Sequence, residues 1–253
     1  MRVFAISIPR YRKRYAYLSE HLHSYFGDDF EIIGVDGLTV SNDAAAAIGL
    51  SPGQIGCSLS HIAAYRRIVE LDLSCALIVE DDCILPHDIH ALLAELEKAI
   101  RPGEAIQLYN WSSQPSEFST RDAVHVGSCR LYYPMQMSGV GTTTAYVITR
   151  QAAEKLIRVN DPVKVSADNW SFFQNHGAVS VVRILYPSRV RIMPFESTIA
   201  SSDRMIAAWI KRNALVQFLL SIRRRALFRK RDKNVILVDR RSPYSPEATP
   251  SKS

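Results

Sequence analysis

The hydrophobic pattern of the chain alternates short apolar runs with longer segments whose apolar residues recur at helical spacing. The apolar runs predict strands at 3–8, 30–37, 74–82, 105–111, 143–149 and 179–194. The helical spacing predicts helices over 10–26, within 51–71, and over 88–100, 150–159 and 166–176. Strands that alternate with helices predict an α/β fold, with a mostly parallel sheet flanked by helices. Ligands bind such sheets beyond the carboxyl ends of the strands, so residues at those ends are the first candidates for a site.

The strand predicted at 74–82 ends in three carboxylates, Glu80, Asp81 and Asp82, directly after an apolar run. Like charges this close repel each other, and burying them unpaired is costly. The carboxylates therefore either reach water as a polar exit from the strand or lie beside a cation. Because side chains alternate along a strand, Glu80 and Asp82 are expected to point together and Asp81 away from them. Hard carboxylate oxygens at a strand end suit Mg²⁺ or Mn²⁺.

The length and composition fit one sizeable domain with an appendage, since the chain has 253 residues of which 47% are hydrophobic. No apolar run reaches the roughly 18 residues that a membrane-spanning helix needs, and the amino terminus does not resemble a signal peptide. We therefore expect a cytoplasmic or peripheral membrane protein. The four cysteines form no C-x-x-C pair, so we expect free, buried thiols rather than a disulfide or a zinc site.

Positive charge is concentrated near the carboxyl end of the chain. Residues 204–241 hold twelve Lys and Arg against two Asp, a net charge of +10, which leaves −4 on the rest of a chain of net charge +6. An acidic body argues against a nucleic-acid-binding protein. Residues 205–233 are also amphipathic, which is typical of a helix on an anionic membrane, although a helix packed on the body has the same pattern. We predict a main domain over 1–203, this basic helical segment over 204–241, and a disordered tail over 242–253.

Four motifs occur in a fixed order along the chain. Arginines follow the first strand in "ISIPRYRKR", and "GVDG", "GCSLSH" and the strand end "IVEDD" come after it. In this order the motifs resemble glycosyltransferase family 25, which includes bacterial lipooligosaccharide galactosyltransferases. Segments 143–156 and 165–173 resemble further parts of the family, so the resemblance covers roughly residues 1–200.

The resemblance implies a GT-A-like fold and an enzyme that uses a UDP-sugar donor. In the family the E-D-D strand end is a form of the D-x-D motif. This implies that Asp82 and Glu80 hold Mn²⁺ or Mg²⁺ against the donor diphosphate, and that Glu80 or Asp81 lies towards the ribose. The resemblance further implies inverting galactosyl transfer to a lipooligosaccharide or lipopolysaccharide, at the cytoplasmic face of a bacterial inner membrane. A transferase of glucose or another sugar and a non-catalytic membrane scaffold are the alternatives.

The first two motifs supply further candidates for binding the donor. Ile8, Arg10 and Arg14 lie at or after the end of the first strand. The two arginines are four residues apart, so on a helix they share one face and can contact uridine or phosphate; a solvated basic face is the alternative. Asp36 can accept hydrogen bonds from a ribose, and Gly37 permits close approach of a ligand, although this pair is also typical of an ordinary turn.

The third motif places Gly56, Ser60 and His61 where the third helix is expected to begin, with Ser58 or Ser60 as its cap. The amino end of a helix attracts anions, and a neutral imidazole can hydrogen-bond a base or a sugar. We therefore interpret these residues as part of the donor site. A capped helix with a packed histidine is the alternative.

The candidate general base is Asp168, with Asp161 as the second choice. The inverting reaction that the resemblance implies needs a carboxylate that takes the proton of the acceptor hydroxyl. Trp170 is expected to stack on a sugar ring. Alternatively Asp168 caps a helix and Trp170 is a core residue. The family often has a valine–aspartate pair here, whereas this chain has Ala167 and then Asp168.

The middle of the chain, before the strand predicted at 143–149, is expected to be rich in loops. Gly139, Gly141 and Thr142 lie there and are expected to form a loop against the donor or the acceptor. Two further residues are candidates for a third metal contact, namely Glu196 and Ser197.

Overall fold

The computed structural model describes residues 1–112, 116–195 and 234–238. Its strands are β1 (Arg2–Ile6), β2 (Phe30–Ile33), β3 (Cys75–Glu80), β4 (Cys83–Ile84), β5 (Glu104–Gln107), β6 (Ser116–Val126), β7 (Cys129–Pro134), β8 (Ala145–Thr149), β9 (Val181–Tyr186), β10 (Arg191–Ile192) and β11 (Val235–Val238). Its α-helices are α1 (Arg12–Phe26), α2 (Asn42–Ile48), α3 (Pro52–Glu70), α4 (Ile89–Ala99), α5 (Arg150–Asn160) and α6 (Trp170–Asn175). Short 3₁₀ helices lie at Gly37–Thr39 and Met137–Gly139.

Within the described residues nine strands form one sheet, in the order β11-β6-β7-β9-β5-β8-β3-β1-β2. Six of them (β1, β2, β3, β5, β6 and β9) point the same way, and β7, β8 and β11 run against them. The predicted α/β class with a helix-flanked sheet is confirmed. Strands β1 and β3 pair in parallel, so their carboxyl ends meet at one edge of the sheet.

Alternating side chains of the central strands pack against helices on both faces of the sheet. Leu77 of β3 belongs to a core shared with α1 and α4. Its neighbour Ile78 belongs to a second core shared with α3, α5 and α6. Burial on both faces explains why β1 and β3 are continuous apolar runs. Among the described residues, no helix is long and apolar enough to cross a bilayer.

The loop-rich interpretation of the middle of the chain is wrong, because β6 and β7 pair there as antiparallel strands. Strand β6 has mostly polar side chains and buries Phe118 and Val126, so it offers no apolar run to recognise. Strand β11 extends the same sheet by pairing with β6. Residues 235–238 therefore belong to the main sheet, although they fall in the segment predicted as a basic helical appendage over 204–241. Residues 204–233 and 239–241, like the tail over 242–253, lie outside the described residues.

Helix α3 begins earlier than predicted, because a capping box fixes its start at Ser51. The backbone N–H of Gln54 donates to Ser51 Oγ at 3.2 Å, and the backbone N–H of Ser51 donates to Gln54 Oε1 at 2.8 Å. Proline directly after the cap favours the same start. Ser58 and Ser60 therefore lie inside the helix, and neither caps it.

Gly56 lets α3 pack directly on the turn that follows β2. A Cβ atom there would lie 2.7 Å from the Gly37 nitrogen and 2.8 Å from the Val35 carbonyl oxygen. Because both neighbours are backbone atoms, we expect Gly56→Ala to lower the free energy of unfolding by about 2 kcal/mol in urea denaturation. Gly141→Ala is the control, since a Cβ there meets no atom within 4 Å. Equal urea midpoints for the two variants would contradict this interpretation.

Candidate functional site

A cavity of about 510 Å³ lies at the carboxyl ends of β1 and β3, where this type of sheet binds ligands. Its walls come from the start of α1, the turn after β2, the amino end of α3 and residues 192–195. The predicted residues that line it are Ile8, Arg10, Arg14, Gly37, Ser60, Glu80, Asp81 and Asp82. Three others contact a lining residue without lining the cavity themselves: Asp36, Gly56 and His61.

A guanidinium group lies against the acidic end of β3. Arg14 Nη2 is 2.6 Å from Asp81 Oδ1 and 3.3 Å from Asp82 Oδ2, and the Arg14 side chain is only 13% exposed. The Ser7 hydroxyl donates a hydrogen bond to Asp81 Oδ2 at 3.1 Å. The Arg14 guanidinium therefore supplies positive charge beside the adjacent carboxylates, where the sequence pattern required it.

The side-chain alternation expected over residues 80–82 is wrong. Strand β3 ends at Glu80, and the chain turns at Asp81 and Asp82, so the period of two no longer applies. Both aspartates contact Arg14, whereas Glu80 contacts His61 and Thr143 on the side of α3. The turn thus groups the two aspartates and leaves the glutamate with a different set of partners.

Arg14 balances the negative charge of Asp82 only in part. Its Oδ1 is buried and has no hydrogen-bond partner among the described residues. Burial and the charge of Glu80 raise the pKa of Asp82 to about 6, although Arg14 acts in the opposite direction. Burial also raises the pKa of Asp81 against the effect of Arg14. A buried carboxylate oxygen without a partner, beside a cavity, fits a bound metal cation.

Glu80 is held by a chain of buried polar groups. The Thr143 hydroxyl donates to Glu80 Oε1 at 2.5 Å. His61 Nε2 lies 3.5 Å from the same carboxylate oxygen. His61 Nδ1 lies 2.8 Å from the Tyr146 hydroxyl, which in turn lies 2.8 Å from the Tyr65 hydroxyl. Burial acts to raise the pKa of Glu80, but His61, Thr143 and Arg14 outweigh it, so this pKa lies below its ordinary value. Glu80 is therefore ionised in the folded protein at neutral pH.

Cys57 brings a thiol into the same corner of the cavity. One ligand atom each of Cys57, His61 and Glu80 lie within 4.8 Å of one another. Burial and the charges of Glu80, Asp168 and Asp81 raise the pKa of the Cys57 thiol well above its ordinary value. The sequence pattern predicted only a buried thiol at this position, although its place in "GCSLSH", four residues before the histidine, indicates that the two side chains are close on a helix.

The predicted residues after β1 and β2 contact each other. Arg10 lies in the turn before α1, so it does not share a helical face with the arginines of that helix, and it forms a 3.0 Å ion pair with Asp36. Asp36 Oδ1 also accepts a hydrogen bond from the backbone N–H of Leu38. A Cβ atom at Gly37 would lie 2.5 Å from the Pro52 carbonyl oxygen. The packing of α3 therefore requires a glycine at this position, which also lines the cavity.

Ser60 and His61 lie well inside α3, which corrects the expectation that they form its amino end. Ser60 Oγ donates to the Gly56 carbonyl oxygen at 2.7 Å and accepts from the backbone N–H of Val35 at 2.8 Å. Ser60 thereby fixes the turn after β2 that forms one wall of the cavity. The amino end that faces the cavity is at residues 52 and 53.

The predicted base, Asp168, is exposed and does not line the cavity. Its Oδ1 accepts a hydrogen bond from the Ser166 hydroxyl at 2.7 Å. Helix α6 is capped by Asn169, so the alternative interpretation of Asp168 as a helix cap is wrong. The second choice, Asp161, lies at the end of α5 and forms an ion pair with Arg66 of α3.

Trp170 is a core residue, which corrects its predicted role in stacking on a sugar. The side chain is 0% exposed and packs edge-on against Tyr146 and Phe173. Its indole N–H donates to the Thr142 carbonyl oxygen at 3.1 Å. Both faces of the ring are therefore covered by protein in this structure.

The loop before β8 was expected to lie against the donor or the acceptor. It is anchored to the core and does not line the cavity. The Gln107 side-chain amide donates to the carbonyl oxygens of Gly141 and Thr142, both at 2.9 Å. Thr142 has a φ of 72°, which residues other than glycine rarely adopt. Gly139 ends the short 3₁₀ helix that precedes this loop. The loop thus supports the neighbouring Thr143, which binds Glu80.

Residues 192–195 cover one side of the cavity, and no pattern in the sequence identified them. Their position follows from the pairing of β4 with β10 and from a 2.7 Å hydrogen bond from the Met193 N–H to the Asp82 carbonyl oxygen. The Phe195 ring lies 5.3 Å from the guanidinium carbon of Arg14. The predicted candidates for a third metal contact follow directly and lie outside the described residues: Glu196 and Ser197.

Several solved structures resemble this fold. Mannose-1-phosphate geranyltransferase from Thermus thermophilus shares 12% identity over 75% of this chain and 74% of its own, with a TM-score of 0.38. A glycosyltransferase involved in the glycosylation of the major capsid of PBCV-1 shares 10% identity over 72% of this chain and 91% of its own, with a TM-score of 0.32. Both TM-scores are below 0.5, so neither likeness indicates a function. No curated protein matches the chain.

The sequence model of glycosyltransferase family 25 (LPS biosynthesis protein) matches residues 2–171. The matched region contains β1, β2, β3, α1 and α3, which supply the acidic strand end and every wall of the cavity except residues 192–195. It also contains the four motifs that carry the resemblance. The resemblance is therefore confirmed, and the chain belongs to glycosyltransferase family 25 and is a glycosyltransferase.

Proposed function

We propose that the enzyme transfers galactose from UDP-galactose to a sugar hydroxyl of a lipooligosaccharide or lipopolysaccharide acceptor. The family membership supports sugar transfer in lipopolysaccharide biosynthesis. A cavity of about 510 Å³ at the carboxyl ends of β1 and β3 supports binding of a nucleotide-sugar there. Galactose as the donor sugar and inversion at its anomeric carbon are carried over from the motif resemblance.

The observation that carries the proposal is the buried Oδ1 of Asp82, which has no hydrogen-bond partner in the part of the chain that the structure describes. We propose that Asp82, with Glu80 as a second carboxylate, holds Mn²⁺ or Mg²⁺ beside the donor. When bound, such an ion neutralises charge on the diphosphate leaving group. Carboxylates are ordinary ligands of hard cations. Because only two carboxylates hold the ion in this proposal, its other coordination positions are open to phosphate oxygens of the donor.

Other residues of the cavity bind and orient the donor in this proposal. Arg14 and Arg10 offer guanidinium donors to phosphate or to the uracil base. The amino end of α3 lines the cavity at residues 52 and 53, and the positive end of its helix dipole favours the negative charge of a diphosphate there. Asp36, which pairs with Arg10 at 3.0 Å, is a candidate acceptor for the ribose hydroxyls.

The transfer itself requires a base for the acceptor hydroxyl, and we assign this role to Asp168. The acceptor oxygen forms a bond to the anomeric carbon, the bond from that carbon to the diphosphate breaks, UDP leaves, and the hydroxyl proton passes to the carboxylate. Asp168 is exposed, and its charge acts on Cys57, which lines the cavity. These two observations support a position beside the cavity, where the Asp168 carboxylate can contact an acceptor that enters from solvent.

The basic segment over residues 204–241 is proposed to attach the enzyme to an anionic membrane surface that carries the lipid-linked acceptor. Its net charge of +10 supports this, since each basic residue near such a surface contributes about 1 kcal/mol.

The test of the proposed function is a screen of UDP-sugars with and without Mn²⁺, using wild type and Asp168→Asn. We expect UDP-galactose to be turned over at least about tenfold faster than UDP-glucose, because the two differ at one hydroxyl that a polar pocket can read. We expect chelation of the metal to stop turnover and Asp168→Asn to lower it about 10²-fold or more. Faster turnover of UDP-glucose than of UDP-galactose would show that UDP-glucose is the donor. No turnover of any UDP-sugar would contradict the proposed reaction, and full activity of Asp168→Asn would remove the assigned base.

A further inference from the structure

A thiol, an imidazole and a carboxylate meet at one corner of the cavity. The Cys57 sulfur, a His61 nitrogen and a Glu80 oxygen all lie within 4.8 Å of one another. Cys57 and His61 are four residues apart on α3, so their side chains lie on one helical face, and Glu80 ends the neighbouring strand β3. Three donors from two rigid elements form a more defined arrangement than a cluster on a loop.

His61 is held in the orientation that a metal-binding histidine needs. Its side chain is 1% exposed, and its Nδ1 lies 2.8 Å from the Tyr146 hydroxyl. The other ring nitrogen, Nε2, is buried, has no hydrogen-bond partner among the described residues and lies 3.5 Å from Glu80 Oε1. A histidine that binds a metal through one ring nitrogen characteristically makes a supporting hydrogen bond with the other, as Nδ1 does here with Tyr146.

The spacing of the donor atoms also fits a small tetrahedral ion. Two nitrogen or oxygen ligands of tetrahedral Zn²⁺ lie roughly 3.3 Å apart, given metal–ligand bonds of about 2.05 Å. The 3.5 Å between His61 Nε2 and Glu80 Oε1 is close to this value. The Cys57 sulfur completes a set of three donor atoms that lie within 4.8 Å of one another, so the three side chains converge on one corner of the cavity. Because Cys57 also lines the cavity, an ion and a water ligand can reach the site from solvent.

We propose that Cys57, His61 and Glu80 form a binding site for a soft divalent cation of the Zn²⁺ class. A thiolate together with an imidazole selects Zn²⁺ or Co²⁺ over Mn²⁺ and Mg²⁺, which prefer oxygen ligands alone. The site is therefore chemically different from the one proposed at Asp82, although both use Glu80. Zn²⁺ bound here engages Glu80, so it competes with the donor-site metal and inhibits sugar transfer.

The site is tested directly with Co²⁺ as a spectroscopic probe, on the full-length protein and without any donor. We expect one equivalent of Co²⁺ to produce the near-ultraviolet charge-transfer absorption of a cobalt thiolate, and one equivalent of Zn²⁺ to remove it. Cys57→Ser should abolish the absorption, because a hydroxyl is a far weaker ligand than a thiolate. Cys129→Ser is the matched control, a buried cysteine outside this cluster, and should retain it.

A third variant separates this site from the metal site of the proposed function. Asp82→Asn should retain the cobalt thiolate absorption, since Asp82 does not belong to the ligand cluster. Thermal unfolding of each variant without metal shows whether it is folded. Absence of the absorption in the folded wild-type protein, or an unchanged absorption in folded Cys57→Ser, would overturn the proposal. Loss of the absorption in folded Asp82→Asn would also overturn it, because the ion would then belong to the donor site.

Discussion

Asp82→Asn is expected to lower sugar transfer by about 10²- to 10³-fold, because it removes a charge that acts where the diphosphate leaves. Asp82 is the carboxylate whose Oδ1 is buried without a partner among the described residues, and we propose that this oxygen holds the cation. Asparagine keeps the shape of the side chain but not its charge, so the affinity for Mn²⁺ should fall together with the rate. Initial rates over a series of Mn²⁺ concentrations measure both effects.

The same variant is expected to be more stable than wild type when no metal is added. The pKa of Asp82 is raised from 3.8 to about 6, so the folded state binds this proton more tightly than the unfolded state. Wild type therefore loses stability as the pH rises from about 4 to about 6, and Asp82→Asn lacks this loss. Urea denaturation should show nearly equal stability below about pH 4, and a gain for the variant of about 2 kcal/mol at pH 7.

Asp88→Asn is the matched control for both measurements. Asp88 forms an ion pair with Arg189, but its side chain is 51% exposed, so the same chemical change there should alter stability by less than about 0.5 kcal/mol. Its transfer rate should match that of wild type. If Asp82→Asn transferred sugar at the wild-type rate with the same metal dependence, the proposed metal ligand would be wrong and the scaffold alternative would gain support.

The location of the site was predictable from local patterns. An apolar run long enough for a buried strand, followed at once by three carboxylates, identified the carboxyl end of β3. The parallel pairing with β1 then places Ser7, Ile8 and Arg10 at the same edge of the sheet. The first inference depends only on the apolar pattern and on the rule for ligand positions in α/β sheets, which need no tertiary information, whereas the pairing of β1 with β3 is known from the structure.

The internal geometry of the site was not predictable in the same way. The contact between Arg14 and Asp81 joins residues far apart in sequence, and the turn at Asp81 cancels the alternation on which the prediction relied. The hydrogen bond between His61 and Tyr146 spans 85 positions. Trp170 shows the converse problem, since an aromatic residue beside a candidate base has the same sequence pattern whether it lies in a site or in the core.

Arg14→Met is expected to lower the free energy of unfolding at pH 7 by about 3 kcal/mol, because it leaves buried carboxylates without their guanidinium partner. Arg14 contacts Asp81 at 2.6 Å and Asp82 at 3.3 Å. Methionine retains an apolar stem that can pack near Phe195, so the change removes mainly the charge. The pKa of Asp82 is about 6 even with Arg14 present, so protonation below that pH should reduce the loss. Urea denaturation at pH 5 and pH 7 measures the difference.

Arg12→Met is the matched control, since Arg12 lies on the same helix but is exposed, and its replacement should change stability by less than about 0.5 kcal/mol. Equal urea midpoints for the two variants at pH 7 would show that Arg14 does not balance the acidic strand end. Mn²⁺ provides a further test, because a cation bound at Asp82 replaces part of the missing positive charge. We therefore expect Mn²⁺ to stabilise Arg14→Met more than wild type. If it stabilised neither protein, the acidic strand end and Arg14 would form a purely structural ion-pair network, and the proposed metal site would be wrong.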